Sequence, residues 1–218
     1  MNPTDIADGL IQFVIFLFST TCHEAAHALA AKMGGDLTAF NTGQVTLNPV
    51  PHIRREPVGM ILMPILCFVA GGFMIGWAST PYDPLWARRY PKRAGLMSLA
   101  GPMANFALML IAAAVLNILW ATGLFRYAPI RGTEFFFRMA FFLNLLLGIF
   151  NLMPVPPLDG YSVLALFLPE PAAVRLFDWG IKIRQFSFIL LLLGWQYAGV
   201  ILNPLRALAV HYLLPLYR

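Results

Sequence analysis

Charge is scarce in this sequence. Asp, Glu, Lys and Arg supply 11% of its 218 residues, against about 25% in a soluble domain. That excludes an ordinary water-soluble fold. The 59% of hydrophobic residues and a mean hydropathy of +0.71 give the positive counterpart: an integral membrane protein, nearly all embedded core, of a length that suits one domain, residues 1–218. Cysteine is sparse too. Cys22 and Cys67 both stand in apolar segments, which gives no disulfide framework. The N-terminus lacks a basic stretch before its apolar run, so no cleavable signal is expected. The net charge of +5 is carried beside apolar runs, where Lys and Arg read as membrane flanks and not as a nucleic-acid surface.

What is present is long apolar runs. Five blocks stand out: Ile6 to Met33, Val58 to Ser79, Gly95 to Thr122, Phe135 to Met153, and Phe186 to Leu214 interrupted at Pro204. The first is about 42 Å long as a helix, more than a hydrocarbon core of about 30 Å requires. Between the first two blocks, Thr38, Phe40, Val45 and Leu47 flank "NTGQ", the pattern of a small membrane-associated β-hairpin. The second block is broken by Pro64, Gly71-Gly72 and Gly76, and Val58 to Ala70 alone is about 20 Å as a helix, too short to span. If it spans, the basic residues divide seven against eight between the two sides, with no bias. If it enters and returns, Lys32, Arg54 and Arg55 join Arg88, Arg89, Lys92, Arg93, Arg175, Lys182 and Arg184, ten against five. The positive-inside rule selects the second arrangement and makes the ten cytoplasmic. The expected fold is therefore an α-helical polytopic membrane protein with about four spanning helices and a re-entrant element. Broken backbone at membrane depth has to line a cavity or be buried in protein.

His23-Glu24-Ala25-Ala26-His27 interrupts the first block with ionisable groups. Residues i and i+4 lie on one helix face, so both imidazoles can reach one metal ion, and Glu24 stands beside them as a general base toward water. The alternative is a pair of buried histidines that only bond helices together; ionisable groups inside a membrane helix argue for function. A catalytic zinc takes three protein ligands. Of the ten acids, Asp5, Asp8, Asp36, Glu56, Asp83, Glu134, Glu170 and Asp178 lie at block ends or in loops. Asp159 differs: it follows Pro154, Pro156 and Pro157, which stop a helix, and it stands at the start of a new one. Asp159 is thus the candidate third ligand, with a helix N-cap as the alternative. Both His27 and Asp159 fall toward the cytoplasmic ends of their crossings in the topology chosen from Lys and Arg alone.

Three motifs in this order resemble the site-2 protease family of intramembrane zinc metalloproteases: His23-Glu24-x-x-His27, Gly101-Pro102-x-x-Asn105, and Asn151-x-x-Pro154-x-Pro156-Pro157-Leu158-Asp159-Gly160. The stretches "LNPVPHIRREPVGMILMP" and "FMIGWASTPYDP" are similar to its compact bacterial branch, without PDZ or CBS domains. The resemblance covers most of residues 10–168, leaving a C-terminal helix at about 186–214. It implies one Zn2+ per chain held by His23, His27 and Asp159, with Glu24 catalytic. It also implies that Asn105 helps hold substrate or the oxyanion and that Asn151 shapes a substrate-facing turn. The implied activity is hydrolysis of peptide bonds in or near transmembrane segments, in regulated intramembrane proteolysis. The implied partners are a transmembrane protein substrate and the lipid bilayer, and the implied location is the bacterial inner membrane with the site toward the cytoplasm.

His52, in the loop after the expected hairpin, is either a near-site residue that steadies loop or substrate, or an ordinary interfacial histidine. His211 reads as a membrane-end residue. Two further functions use the same residues. A metal transporter would need ligands along a path across the bilayer, and the sequence offers one cluster. A catalytically silent binder of membrane helices would not need Glu24.

Overall fold

A computed structural model describes residues 3–72, 74–126 and 131–214. Ten α-helices are seen among them: α1 Pro3–Gly34, α2 Thr38–Asn41, α3 Pro49–Arg55, α4 Met63–Gly71, α5 Pro84–Arg89, α6 Pro91–Ala121, α7 Arg131–Asn151, α8 Asp159–Val163, α9 Glu170–Ile183 and α10 Ser187–Leu213. Three of the described helices, at Ile6–Gly34, Pro91–Ala121 and Gly132–Asn151, are long and apolar enough to cross a bilayer. The fourth expected crossing is not among these three; that stretch holds α10, 27 residues with Pro204 inside it.

Helix α1 runs unbroken because no proline or glycine pair interrupts its apolar run until Gly35, which takes φ of 98°. That left-handed residue, open to glycine, lets Asp36 N–H donate back to the Ala31 carbonyl (2.9 Å) and closes the helix. Helix α6 packs antiparallel to α1: Arg93, in its first turn, donates to the Gly34 carbonyl at the end of α1 (3.1 Å). Helix α7 then returns along α6. Met109, Ala112, Ala113 and Leu116 of α6 meet Phe141 and Leu145 of α7 in one apolar core. A second core closes the end where α1 finishes, with Ala31, Trp86, Ala94 and Met97 under Ala173 and Phe177 of α9. An Arg88–Asp178 ion pair at 2.9 Å spans the same end.

The expected β-hairpin is not formed. Thr38–Asn41 is a helical turn, and no strand occurs among the described residues. Local side-chain bonding wins over the strand-like pattern. Asp36 Oδ1 accepts from both the backbone N–H (2.9 Å) and the hydroxyl (2.6 Å) of Thr38, which starts the turn. Gly43, with φ of 72°, ends it instead of centring a hairpin. Asn48 then caps α3 by accepting from Val50 N–H at 3.0 Å.

The second apolar block goes out and comes back. It opens as a π-helical turn, Val58–Leu62, immediately before Pro64, which has no N–H to give to the preceding turn. Helix α4 ends at Gly72, again left-handed with φ of 73°, and residues 74–83 carry no helix. They run back beside the start of the block. Trp77 N–H donates to the Gly59 carbonyl (3.1 Å), Arg55 Nε to the Ser79 carbonyl (2.9 Å), and Ser79 Oγ to Glu56 Oε1 (2.5 Å). The approach depends on two glycines: a Cβ on Gly59 would overlap the Trp77 carbonyl oxygen, and one on Gly76 the Gly59 oxygen. The loop is anchored just beyond the end of α1 as well, since Asp83 N–H donates to Asp36 Oδ2 (2.8 Å).

With both ends of the block together, exposed cysteines at Arg54→Cys and Arg89→Cys, in protein lacking Cys22 and Cys67, should react with an impermeant maleimide from the same face of the membrane. Labelling from opposite faces would mean that residues 58–79 cross.

Candidate metal centre

One turn of α1 separates His23 from His27, and both point into the bundle, 6% and 4% exposed. Their Nε2 atoms are 2.9 Å apart. Asp159 Oδ2 lies 3.1 Å from His23 Nε2 and 3.3 Å from His27 Nε2. The carboxylate is delivered by the proline-rich turn after α7. Gly160 makes that turn tight enough, because a Cβ there would overlap the Leu152 carbonyl. Asp159 is the first residue of α8, and the N-cap position before it is taken by Leu158. The N-cap alternative is therefore not what the structure adopts. A carboxylate oxygen so placed suits metal ligation.

Helix α6 completes the site with a stripe four residues apart: Met97, Gly101 and Asn105. Because α6 runs against α1, Met97 falls opposite His27 and Asn105 opposite His23. His27 Nδ1 donates to the Met97 carbonyl (2.7 Å). A carbonyl can only accept, so the proton sits on Nδ1 and Nε2 keeps its lone pair. His23 Nδ1 meets Asn105 Oδ1 at 2.6 Å. Between them, a Cβ on Gly101 would overlap His27 Nε2 and approach His23 Nε2; only glycine leaves that space open.

These residues fit a zinc ion. A tetrahedral ion with bonds of about 2.0–2.1 Å needs ligand atoms about 3.3–3.4 Å apart. The three separations, 2.9 to 3.3 Å, lie near that value. His23, His27 and Asp159 are the metal-ligand group found among the described residues.

Glu24 is 5% exposed. Its Oε2 accepts from Thr80 Oγ1 (2.7 Å), so the returning arm of the 58–79 block reaches the acid next to His23. Asn105 is fully buried; its oxygen faces His23 and its nitrogen donates to Asn144 Oδ1 (2.9 Å). Asn151 instead donates to the Leu147 carbonyl of its own helix (3.0 Å) and is not in the cluster. His52 is buried in α3 and bonds the Thr46 carbonyl (3.0 Å), which steadies the loop around α2 and α3 away from the ligands. Thr80, Asn144 and Ser19 were not singled out from sequence. Asn144 had a signal, a polar residue in the apolar run "FFLNLLLGIF"; Thr80 had none.

Residues 127–194 match the family model described as Peptidase family M50. The chain is 37% identical over 166 residues to YwhC of Bacillus subtilis, a candidate zinc metalloprotease by name, covering 75% of this chain and 71% of that one. Rip2 of Mycobacterium tuberculosis strain H37Rv, named in the same way, is 31% identical over 204 residues, 88% of this chain and 73% of its own. Rip2 of Mycolicibacterium smegmatis is 30% identical over 151 residues, 68% of this chain and 54% of its own. No solved structure matches.

Gly101→Ala should lower zinc affinity at least tenfold, measured by chelator competition on purified protein, because its methyl group takes the space between the two Nε2 atoms. Gly132→Ala, where nothing lies within 4 Å of the added carbon, should leave zinc affinity unchanged. Full zinc affinity in Gly101→Ala would place the metal elsewhere.

Proposed function

The chain belongs to peptidase family M50, the site-2 proteases, and from that premise, a zinc metalloprotease built as a helical integral membrane protein, we propose that it cleaves peptide bonds in or beside transmembrane segments of other membrane proteins, as a step in regulated intramembrane proteolysis. The observation that carries this reading is where the ligand atoms converge. His27 stands seven residues before the end of α1, about 10 Å along the helix axis, so the site lies within the thickness of the bundle.

His23, His27 and Asp159 would hold the zinc. When bound, zinc supplies a Lewis acid that polarises a carbonyl and brings the pKa of water near 7. Glu24 then accepts a proton from the attacking water and returns it to the leaving amine. Thr80 orients the Glu24 carboxylate for both transfers. A helical substrate keeps its carbonyls bonded within itself, so it has to be drawn out locally. The non-helical residues 74–80, which end at Thr80 beside Glu24, could offer backbone groups against which an unwound segment lies as a strand. Asn151, at the end of α7, marks the turn along which substrate would approach Asp159.

Orientation follows from charge. Lys32, Arg88, Arg89, Lys92 and Arg93 lie at or just beyond the end of α1 and the start of α6, with Arg54 and Arg55 in α3. The positive-inside rule makes this the cytoplasmic end of a bacterial inner-membrane protein, with zinc nearer that side and 58–79 re-entering from it. A transporter needs successive ligands across the bilayer; among the described residues there is one cluster.

Glu24→Gln should retain about one zinc per chain and lose cleavage of a model transmembrane substrate by roughly 10²- to 10⁴-fold. Zinc loss equal to that of His23→Ala would make Glu24 a ligand and overturn the assigned role.

A further inference from the structure

We propose that Asn144 is a positioning residue for the metal centre: held by Ser19 and the Ala140 carbonyl, it acts through Asn105 to fix His23 in the tautomer whose Nε2 can bind metal. The inference rests on the reading of His23 as a ligand.

The two histidines solve one problem differently. A neutral imidazole has one N–H, and a ring that ligates through Nε2 has to carry it on Nδ1. His27 is fixed by backbone, because the Met97 carbonyl accepts only. His23 faces a side-chain amide, which presents an acceptor or a donor depending on which way it is turned. If Asn105 turned its nitrogen toward His23, Nδ1 would become the acceptor, Nε2 would carry the proton, and the ring could not ligate through it. Something has to set the direction of Asn105.

That direction is set two residues away. Asn144 Nδ2 lies 2.9 Å from the Ala140 carbonyl oxygen and 2.9 Å from Ser19 Oγ. The Ala140 oxygen cannot donate, so the nitrogen of Asn144 has to be on that side. Its Oδ1 therefore faces Asn105 at 2.9 Å and accepts. Asn105 then presents its nitrogen to Asn144 and its oxygen to His23, 2.6 Å from Nδ1. Each step leaves one choice, and the polarity of a helix carbonyl in α7 is passed to a ring nitrogen in α1. Ser19, Asn105 and Asn144 are 1%, 0% and 1% exposed, so solvent cannot replace a missing member. Ser19 also sits one turn before His23 on α1, so the helix that bears the ligand helps hold the residue that orients it.

The experiment uses full-length protein in lipid nanodiscs, with zinc alone as the probe and affinity read by chelator competition. Asn144→Leu should lower zinc affinity about ten- to a hundredfold, the range for partners that orient metal-ligating histidines. Asn105→Asp should rescue it, since a carboxylate accepts from Nδ1–H through either oxygen and needs no direction set. Asn105→Asp with Asn144→Leu should then bind zinc within about threefold of wild type. A packing role for Asn144 predicts no such rescue. Independently of any variant, 15N NMR of histidine-labelled, zinc-loaded wild type should show His23 ligating through Nε2 with its proton on Nδ1. Wild-type affinity in Asn144→Leu, absence of rescue, or a proton on Nε2 of wild-type His23 would each overturn the inference. The reading beneath it fails separately, by unchanged zinc affinity in His23→Ala.

Discussion

Four imidazole nitrogens inside a helix bundle have to be accounted for, and much of the structure around them follows from that requirement. Buried polar atoms without partners are costly, and membrane hydrocarbon supplies none. Two nitrogens, the Nε2 atoms, turn toward Asp159. The other two are taken up by α6, through the Met97 carbonyl and Asn105. The antiparallel register of α1 and α6 is what allows this, since positions 23 and 27 meet positions 105 and 97 with Gly101 between. A shift of α6 by one residue would turn the stripe away and leave both rings unpartnered.

The connecting segments deliver the remaining chemistry. The break after α7 brings Asp159 across to α1, and the 58–79 excursion returns to set Thr80 on Glu24. Asp36 coordinates the second delivery. One oxygen organises the turn at Thr38 and the other holds the backbone of Asp83. Glycine enters where the chains press closest: Gly59 and Gly76 between the arms of the excursion, Gly101 beneath the imidazoles and Gly160 in the proline turn.

Parts of this were legible in the sequence because they are local. The spacing of His23 and His27 fixes a shared helix face, and a proline cluster before Asp159 marks a break that frees the chain to turn. The placement of Lys and Arg led to an expected re-entrant second block; its two ends meet through Arg55 and Ser79, while its course relative to the bilayer is what the cysteine labelling tests. The hairpin around "NTGQ" was misread. Alternating Thr, Phe, Val and Leu resembles a strand, but Asp36, just outside the pattern, bonds Thr38 and starts a helical turn. The resemblance implied for Asn105 a hold on substrate or oxyanion; its contact with His23 is decided by helix register, which one sequence does not display. Thr80 and Ser19 were invisible for the same reason: each acts on a residue far away in the chain.

The central claim is that Asp159 closes the metal site, and zinc binding by Asp159→Asn tests it most directly. The substitution keeps size and could still cap a helix, but it removes the anionic oxygen that faces both Nε2 atoms. The account predicts a protein that folds and inserts as wild type does, with zinc content far below one per chain and little cleavage of a transmembrane substrate. A zinc-replete, active Asp159→Asn protein would contradict it and place the third ligand elsewhere.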